Sequence, residues 1–142
     1  MRAQVVLIDG TKVLLARHVC PDREYFVLPG GAVEDDESVE AAAVREVLEE
    51  TGLLVTIDRL LFVETARTVA GVSFSQPRHT YLGRVLGGRL QTIVEPHKGR
   101  GDKGYLAGAV WLEWDSPQFD AATRDTLHRV RTELERARSS LT

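Results

Sequence analysis

Apolar positions along this chain follow two periods. Short apolar runs closed by turn residues occupy most of its length, and two longer stretches repeat at about 3.6 residues, the period of an amphipathic helix. Gln4 to Ile8 is an apolar run ending at Asp9-Gly10, a type I′ hairpin signal, and Lys12 to Val19 resumes as a strand, so this segment predicts a hairpin. Cys20 to Glu24 is a polar connection containing Pro21, and Tyr25 to Leu28 is a further short strand stopped by Pro29-Gly30-Gly31. The paired glycines predict a tight turn and a close backbone approach to a ligand. After the acidic loop Ala32 to Glu37 comes the first helical stretch, from about Val39 to Thr51. Ser38 suits its N-cap, Glu40 its first turn, Ala41-Ala42-Ala43 its interior and Gly52 the left-handed position after its end. Ala41, Val44, Val47 and Leu48 fall on the arc expected to face the core.

Beyond the helix, Leu53 to Val63 reads as strand with a turn expected at Asp58-Arg59, and Thr65 to Pro77 as a strand edge and loop. His79 to Leu86 is strand-like, Gly87-Gly88 predicts a hairpin turn into Arg89 to Val94, and Glu95 to Gly104 is a charged, glycine-rich loop. Leu106 to Trp114 is again strand-like despite Gly108. The run from about Phe119 to Arg138 places Leu127, Val130, Leu134 and Ala137 at helical spacing. No repeat or linker divides the chain, so a single domain over residues 1–142 is expected. Many strands with two helices far apart in sequence predict a sheet covered by helices, an α/β fold.

Composition narrows the function classes. With 142 residues, 43% hydrophobic and 27% charged, the chain has a globular balance and enough length for a sizeable core. A formal charge of −3 argues against a general surface for polymeric nucleic acid. Cys20 is the only cysteine, so no intrachain disulfide forms, and its reading is a small packed residue. The N-terminal apolar run is too short for a signal peptide and no run is long enough to span a membrane, so a cytoplasmic protein without a membrane partner is expected, as a monomer or homodimer.

Chemistry concentrates on the first helix. Glu46, Glu49 and Glu50 fall within an arc of roughly 100° at about 100° per residue. They lie near the helix C-terminus, where the macrodipole disfavours negative charge, and their spacing sets like charges side by side. Arg45 neutralises part of this, and a hard divalent cation with oxygen ligands suits the remainder. The alternative is a solvated charged face.

The run resembles the Nudix box of the Nudix hydrolases. Gly31, five residues, Glu37, seven residues, Arg45-Glu46-Val47, one residue, Glu49-Glu50, one residue and Gly52-Leu53 meet every fixed position of that pattern. The resemblance implies the Nudix fold, an α/β/α sandwich around a mixed sheet. It implies a Mg²⁺- or Mn²⁺-dependent hydrolase that cleaves a nucleoside diphosphate linked to another moiety by water attack on phosphorus. Carried over, Glu46, Glu49 and Glu50 would be metal ligands and supply the general base, and Arg45 would orient them. Gly30 and Gly31 would shape the loop, with a backbone carbonyl near the metal and Gly30 on the substrate side. Glu37 is either linked to metal and substrate or an acid beside the helix N-terminus.

Outside the box, Arg17 and Arg23 are candidates to grip phosphate oxygens bidentately, with solvent-facing side chains as the alternative. Family members often add a distant carboxylate, for which Glu95, Asp102 and Glu113 are candidates against a surface-charge reading. The loop bearing Lys98, Arg100 and Lys103 either closes over phosphates or is a plain surface loop. Tyr25, Phe26, Phe74 and Tyr81 are candidates to stack a base, although strand aromatics usually fill the core. His18, His79, His97 and His128 lack metal-ligand spacing and read as structural. The proline or tyrosine that marks ADP-ribose and dinucleoside-polyphosphate members downstream of the box is absent from Thr68-Val69-Ala70-Gly71, which favours a MutT-like member acting on nucleoside triphosphates or a similar compound. A nucleotide sensor or an interaction module retaining the fold is the alternative, which the intact box disfavours.

Overall fold

A computed structural model gives the fold and describes residues 1–65, 67–69, 71–74, 76–91 and 105–140. Its strands are β1 (Arg2–Val6), β2 (Ile8–Asp9), β3 (Lys12–Val19), β4 (Glu24–Val27), β5 (Gly30–Ala32), β6 (Leu53–Glu64), β7 (Arg67–Val69), β8 (Val72–Phe74), β9 (Arg78–Gly88) and β10 (Tyr105–Glu113); its helices are α1 (Val39–Thr51) and α2 (Ala121–Ser140). One sheet has the order β5-β1-β9-β6 and is mixed, because β1 and β9 run parallel while the other pairs are antiparallel. A second, antiparallel sheet sets β3 between β10 on one side and β2 and β4 on the other, and β7 and β8 form a small hairpin.

The layering can be followed along β1, whose side chains alternate between faces. Val5 packs with Ala43 and Val47 of α1, and Val6 packs with Leu127 and Val130 of α2. Both valines are fully buried. The helices therefore cover opposite faces, the α/β/α sandwich that the sequence implied.

The expected N-terminal hairpin is corrected. β1 does not pair with β3; it is buried between β5 and β9, and only β2 turns back onto β3, through Asp9 opposite Lys12 with Gly10 at φ 62°. A strand apolar on both faces belongs inside a sheet rather than in a half-exposed hairpin, and Ala3 to Leu7 are all buried. The glycines expected to turn after Pro29 instead lie in β5, with Gly30 opposite Gln4 and Gly31 opposite Ala3.

Two further expected turns are not formed among the described residues. At Asp58-Arg59 the chain continues as β6 with a register shift between Ile57 and Arg59, and Asp58 pairs with Arg84 of β9 at 2.8 Å. A bulge absorbs the polar pair at a sheet edge without breaking the strand. Gly87-Gly88 lie in β9 rather than in a turn, and Gly88 (φ 93°) sends the chain past the end of α1, where the Arg89 and Gln91 N–H groups donate to the Gly52 and Thr51 carbonyls; residues 92–94 of the strand expected there lie outside the described residues. The loop carrying Glu95, His97, Lys98, Arg100, Asp102 and Lys103 lies outside the described residues.

Candidate active site

Helix α1 carries the acids, and its ends form as the local sequence dictates. The Ser38 hydroxyl accepts from the Ala41 N–H at 3.1 Å, and Gly52 (φ 80°) closes the helix by donating to the Leu48 carbonyl. The buried face is Ala42, Ala43, Val47 and Thr51, whereas Ala41 and Leu48, expected in the core, are exposed. The contact face is thus rotated toward Glu46 and Glu50, which fall between Ala42 and Ala43 around the helix. This rotation brings the acids against the sheet edge at β5.

Gly30 and Gly31 line that edge. The Gly30 N–H donates to Glu50 Oε1 at 2.9 Å. A Cβ at Gly31 would lie 2.5 Å from the Glu46 carboxyl carbon, and one at Gly30 would overlap the Ala3 carbonyl. Neighbouring backbone positions therefore meet two of the three acids: Gly30 through its N–H, with its missing side chain leaving room for β1, and Gly31 by leaving room for Glu46.

Arg45 gathers the remaining charge. Its guanidinium donates to both oxygens of Glu37, at 3.1 and 2.6 Å, to Glu46 at 3.0 Å, to Glu49 at 3.3 Å and to the Ala32 carbonyl at 3.1 Å. The hydrogen bonds to Glu37 first, then the charge and hydrogen bonding of Glu46 and Glu49, hold Arg45 above its ordinary pKa. Glu37 is held below the usual carboxylate range, by Arg45 first and then by the Glu34 N–H. With both oxygens on Arg45, Glu37 faces the arginine. Glu50 behaves in the opposite way. Burial, then the charges of Glu46 and Glu49, push its carboxyl up to about 7 against the Gly30 hydrogen bond and Arg2.

Beside Glu50 opens a cavity of about 570 Å³, with Arg2, Arg23, Arg78, His18 and Tyr25 among its walls. Arg2 and Arg78 are register partners on the parallel strands β1 and β9, so two positive charges stand side by side. Across the cavity the Arg23 guanidinium lies 4.9 Å from the Tyr25 ring centre, and His18 stacks on the same ring at 5.0 Å and 7°. Burial lowers the His18 pKa, which favours a neutral imidazole there. Gly30 and Gly31 also line this cavity.

The sequence candidates separate clearly. Arg23, Gly30, Gly31, Tyr25 and Glu50 converge on the cavity, with Arg45, Glu46 and Glu49 along the adjoining helix edge. Arg17 does not: it points to the other face of β3, pairs with Glu24 at 2.7 Å and stands in a different depression with Phe26. Strand alternation explains this, since Arg17 and His18 are consecutive. Phe26 and Tyr81 are core residues, and Glu113 accepts from Thr11 at 3.1 Å beside the first turn, away from the acids. The sequence reading missed Arg2, Arg78 and His18 as cavity residues. Residue parity marks Arg2 and Gln4 as sharing a face, but nothing local reveals that β9 brings Arg78 beside them.

Among the described residues no three carboxylate, imidazole or thiol groups stand together as a formed cation site. Glu46 and Glu49 are held by Arg45, and Glu50 by Gly30. The donor chemistry nevertheless fits a hard divalent cation: the oxygens are carboxylates, and Glu50, raised first by burial and then by the charges of Glu46 and Glu49, is a group whose ionised form a cation favours. Glu46, Glu49 and Glu50 would hold it.

Over residues 1–130 the chain matches the family model of the NUDIX domain. It is 34% identical over 113 residues to a Bacillus subtilis (strain 168) protein provisionally named as an 8-oxo-dGTP diphosphatase, covering 80% of this chain and 63% of that protein. It is 47% identical over 55 residues to an ADP-ribose pyrophosphatase of Methanocaldococcus jannaschii, covering 39% of this chain and 32% of that one. The chain thus spans less than two thirds of either relative. A solved structure of a MutT NUDIX hydrolase from Burkholderia pseudomallei superposes with a TM-score of 0.64 at 29% identity, covering 91% of this chain and 95% of that one.

Proposed function

The chain belongs to the NUDIX domain family, and from that premise we propose that it hydrolyses, in a single domain, a phosphoanhydride of a nucleoside diphosphate linked to another moiety, with nucleoside triphosphates as the substrate class. The carrying observation is the position of Glu50, whose carboxylate edge adjoins a cavity lined by Arg2, Arg23 and Arg78. In an acidic chain, three arginines in one cavity suit a polyanion. Tyr25 and His18 offer an aromatic surface to the nucleoside.

Nudix hydrolases generally need a divalent metal, and we assign Mg²⁺ or Mn²⁺ to Glu46, Glu49 and Glu50. When bound, the metal supplies phosphate charge neutralisation and a water of lowered pKa. The chain's own residues supply the rest. The three glutamates share the ligand and proton-accepting roles. Arg45, anchored by Glu37, holds Glu46 and Glu49 in place, and the cavity arginines orient the phosphates for in-line attack. The product is a nucleotide plus the phosphorylated leaving group, with the water oxygen on one phosphorus. We place the reaction in the cytoplasm.

A Mg²⁺-dependent turnover screen against nucleoside triphosphates, nucleotide sugars, ADP-ribose and dinucleoside polyphosphates tests this reading. Hydrolysis of a nucleoside triphosphate, abolished by chelation, is expected. Tight binding without turnover of any compound would make the chain a sensor and overturn the proposal.

A further inference from the structure

Across β1, β9 and β6, Arg2, Arg78 and Glu64 are register partners, and Gln4, Thr80 and Phe62 form the next row. Cross-strand partners point to the same face. Here it is the face that α2 covers, since Phe62 packs with Leu127 and Val130. The second row is neutral: Phe62 is buried, and the Gln4 amide donates to the buried Thr80 hydroxyl at 2.8 Å. The first row carries two positive charges and one negative at the end of the sheet where the arginine-lined cavity opens.

Arg2 and Arg78 are walls of that cavity. Glu64 stands behind them, its side chain 3% exposed. A carboxylate so deeply buried is balanced by cations close to it. Helix α2 supplies one: Arg129 Nη1 lies 3.5 Å from Glu64 Oε2. A charge-assisted hydrogen bond is shorter, roughly 2.7–2.9 Å. The Arg129 side chain is 43% exposed and its guanidinium lies over the Phe62 ring, 4.2 Å from the centre. Arg129 therefore supplies part of the balance. Arg78 is the cation that the ladder sets directly opposite Glu64, on a strand about 4.8 Å away.

We propose, on the reading of the arginine-lined cavity as the phosphate site, that Glu64 is its positioning residue: from behind the wall the carboxylate takes one edge of the Arg78 guanidinium and turns the remaining N–H groups toward the phosphates. A guanidinium suits both tasks, because its five donors lie in one rigid plane and several edges can be engaged at once. The same carboxylate offsets the repulsion between Arg78 and Arg2, which keeps both at the wall.

Calorimetric titration with inorganic triphosphate, without Mg²⁺, reads the cavity arginines apart from turnover. If charge alone acted, removing a carboxylate near an anion site would tighten binding. Weakening is therefore the mark of positioning. E64Q, which keeps the side-chain shape, is expected to weaken triphosphate about fivefold or more and R78Q about tenfold, with E64Q/R78Q within about twofold of R78Q because the two residues act as a unit. R129Q removes the contact to α2 and should leave triphosphate affinity within about twofold of the parent, which separates positioning from the seating of the helix. With a nucleoside triphosphate as substrate, E64Q should raise KM and leave kcat within about twofold. E64D sets the charge one methylene further back and is expected to bind between the parent and E64Q; it replaces E64Q in the comparison with R78Q where thermal melting shows E64Q unfolded. Triphosphate bound by E64Q as tightly as by the parent or more tightly, losses that multiply in the double variant, a loss in R129Q equal to that in E64Q, or a fall in kcat at unchanged KM would overturn the proposal. A parent that shows the expected coupling toward triphosphate yet hydrolyses no nucleotide would uphold the role of Glu64 and overturn the hydrolase reading.

Discussion

Glu50 is the residue at which stability and function pull in opposite directions. Its carboxyl is ordinarily ionised at neutral pH, yet in the fold it is pushed up to about 7 by burial and by Glu46 and Glu49. A carboxyl whose pKa is raised on folding costs nothing below its unfolded value, where both states are protonated. Between the unfolded value and about 7 the unfolded chain ionises while the native state holds its proton, so stability falls as pH rises and stays low above that window. Metal-free protein is therefore predicted to lose stability between about pH 4.5 and about pH 7, by an amount on the order of 2 kcal/mol from this residue. Glu50→Gln keeps an oxygen for the Gly30 N–H and removes the charge. Chemical denaturation in chelator should show this variant more stable than the parent at the upper pH and equal to it at the lower; a variant less stable at both would assign Glu50 a structural role instead. Arg45 makes a second residue-scale case. Arg45→Lys keeps the charge but cannot span both Glu37 oxygens while reaching Glu46 and Glu49. A fall in kcat of about tenfold or more, with little change in KM for the nucleotide, is the expected outcome of steady-state kinetics.

At the scale of elements, adjacent glycines on β5 make contrasting predictions. A Cβ at Gly30 overlaps the Ala3 carbonyl and lies 2.6 Å from the Gln4 Cα, backbone that cannot yield without separating β5 from β1. Gly30→Ala should therefore cost about 1–3 kcal/mol or more in a denaturant melt. At Gly31 the obstacle is the mobile end of Glu46. Gly31→Ala should melt close to the parent yet hydrolyse much more slowly, because the displaced carboxylate leaves its place. The elements themselves were legible in the sequence where their determinants are local. The ends of α1 follow from Ser38 and Gly52, and α2 from its apolar spacing. Legibility failed where pairing is distant. Nothing near Gln4 indicates that β1 joins β9 more than seventy residues later. The helix face was misjudged for a related reason: Ala41 and Leu48 are apolar, but the neighbouring sheet draws the side that carries Glu46 and Glu50 inward.

Over the whole molecule, the box alone was readable as chemistry, whereas the cavity that receives substrate is a product of topology. Arg23 was visible as a candidate because it stands shortly before the box. Arg2 and Arg78 acquire meaning only once parallel strands bring them together, and Arg17 loses it once β3 turns it away. Linkage through this site is a global property: at about a hundredfold excess over its dissociation constant, Mg²⁺ with a non-hydrolysable nucleotide should raise stability by about 2.7 kcal/mol, seen as a higher melting temperature that Glu46→Gln diminishes. The most direct test of the central claim is the Mg²⁺ dependence of nucleoside triphosphate hydrolysis in the unaltered chain and in Glu46→Gln, Glu49→Gln and Glu50→Gln. Each substitution is predicted to lower kcat by about 10²–10⁴ or to raise the Mg²⁺ concentration needed for half-maximal rate, with nucleotide KM changing far less. Hydrolysis that keeps its rate and its Mg²⁺ dependence in all three variants would contradict the account.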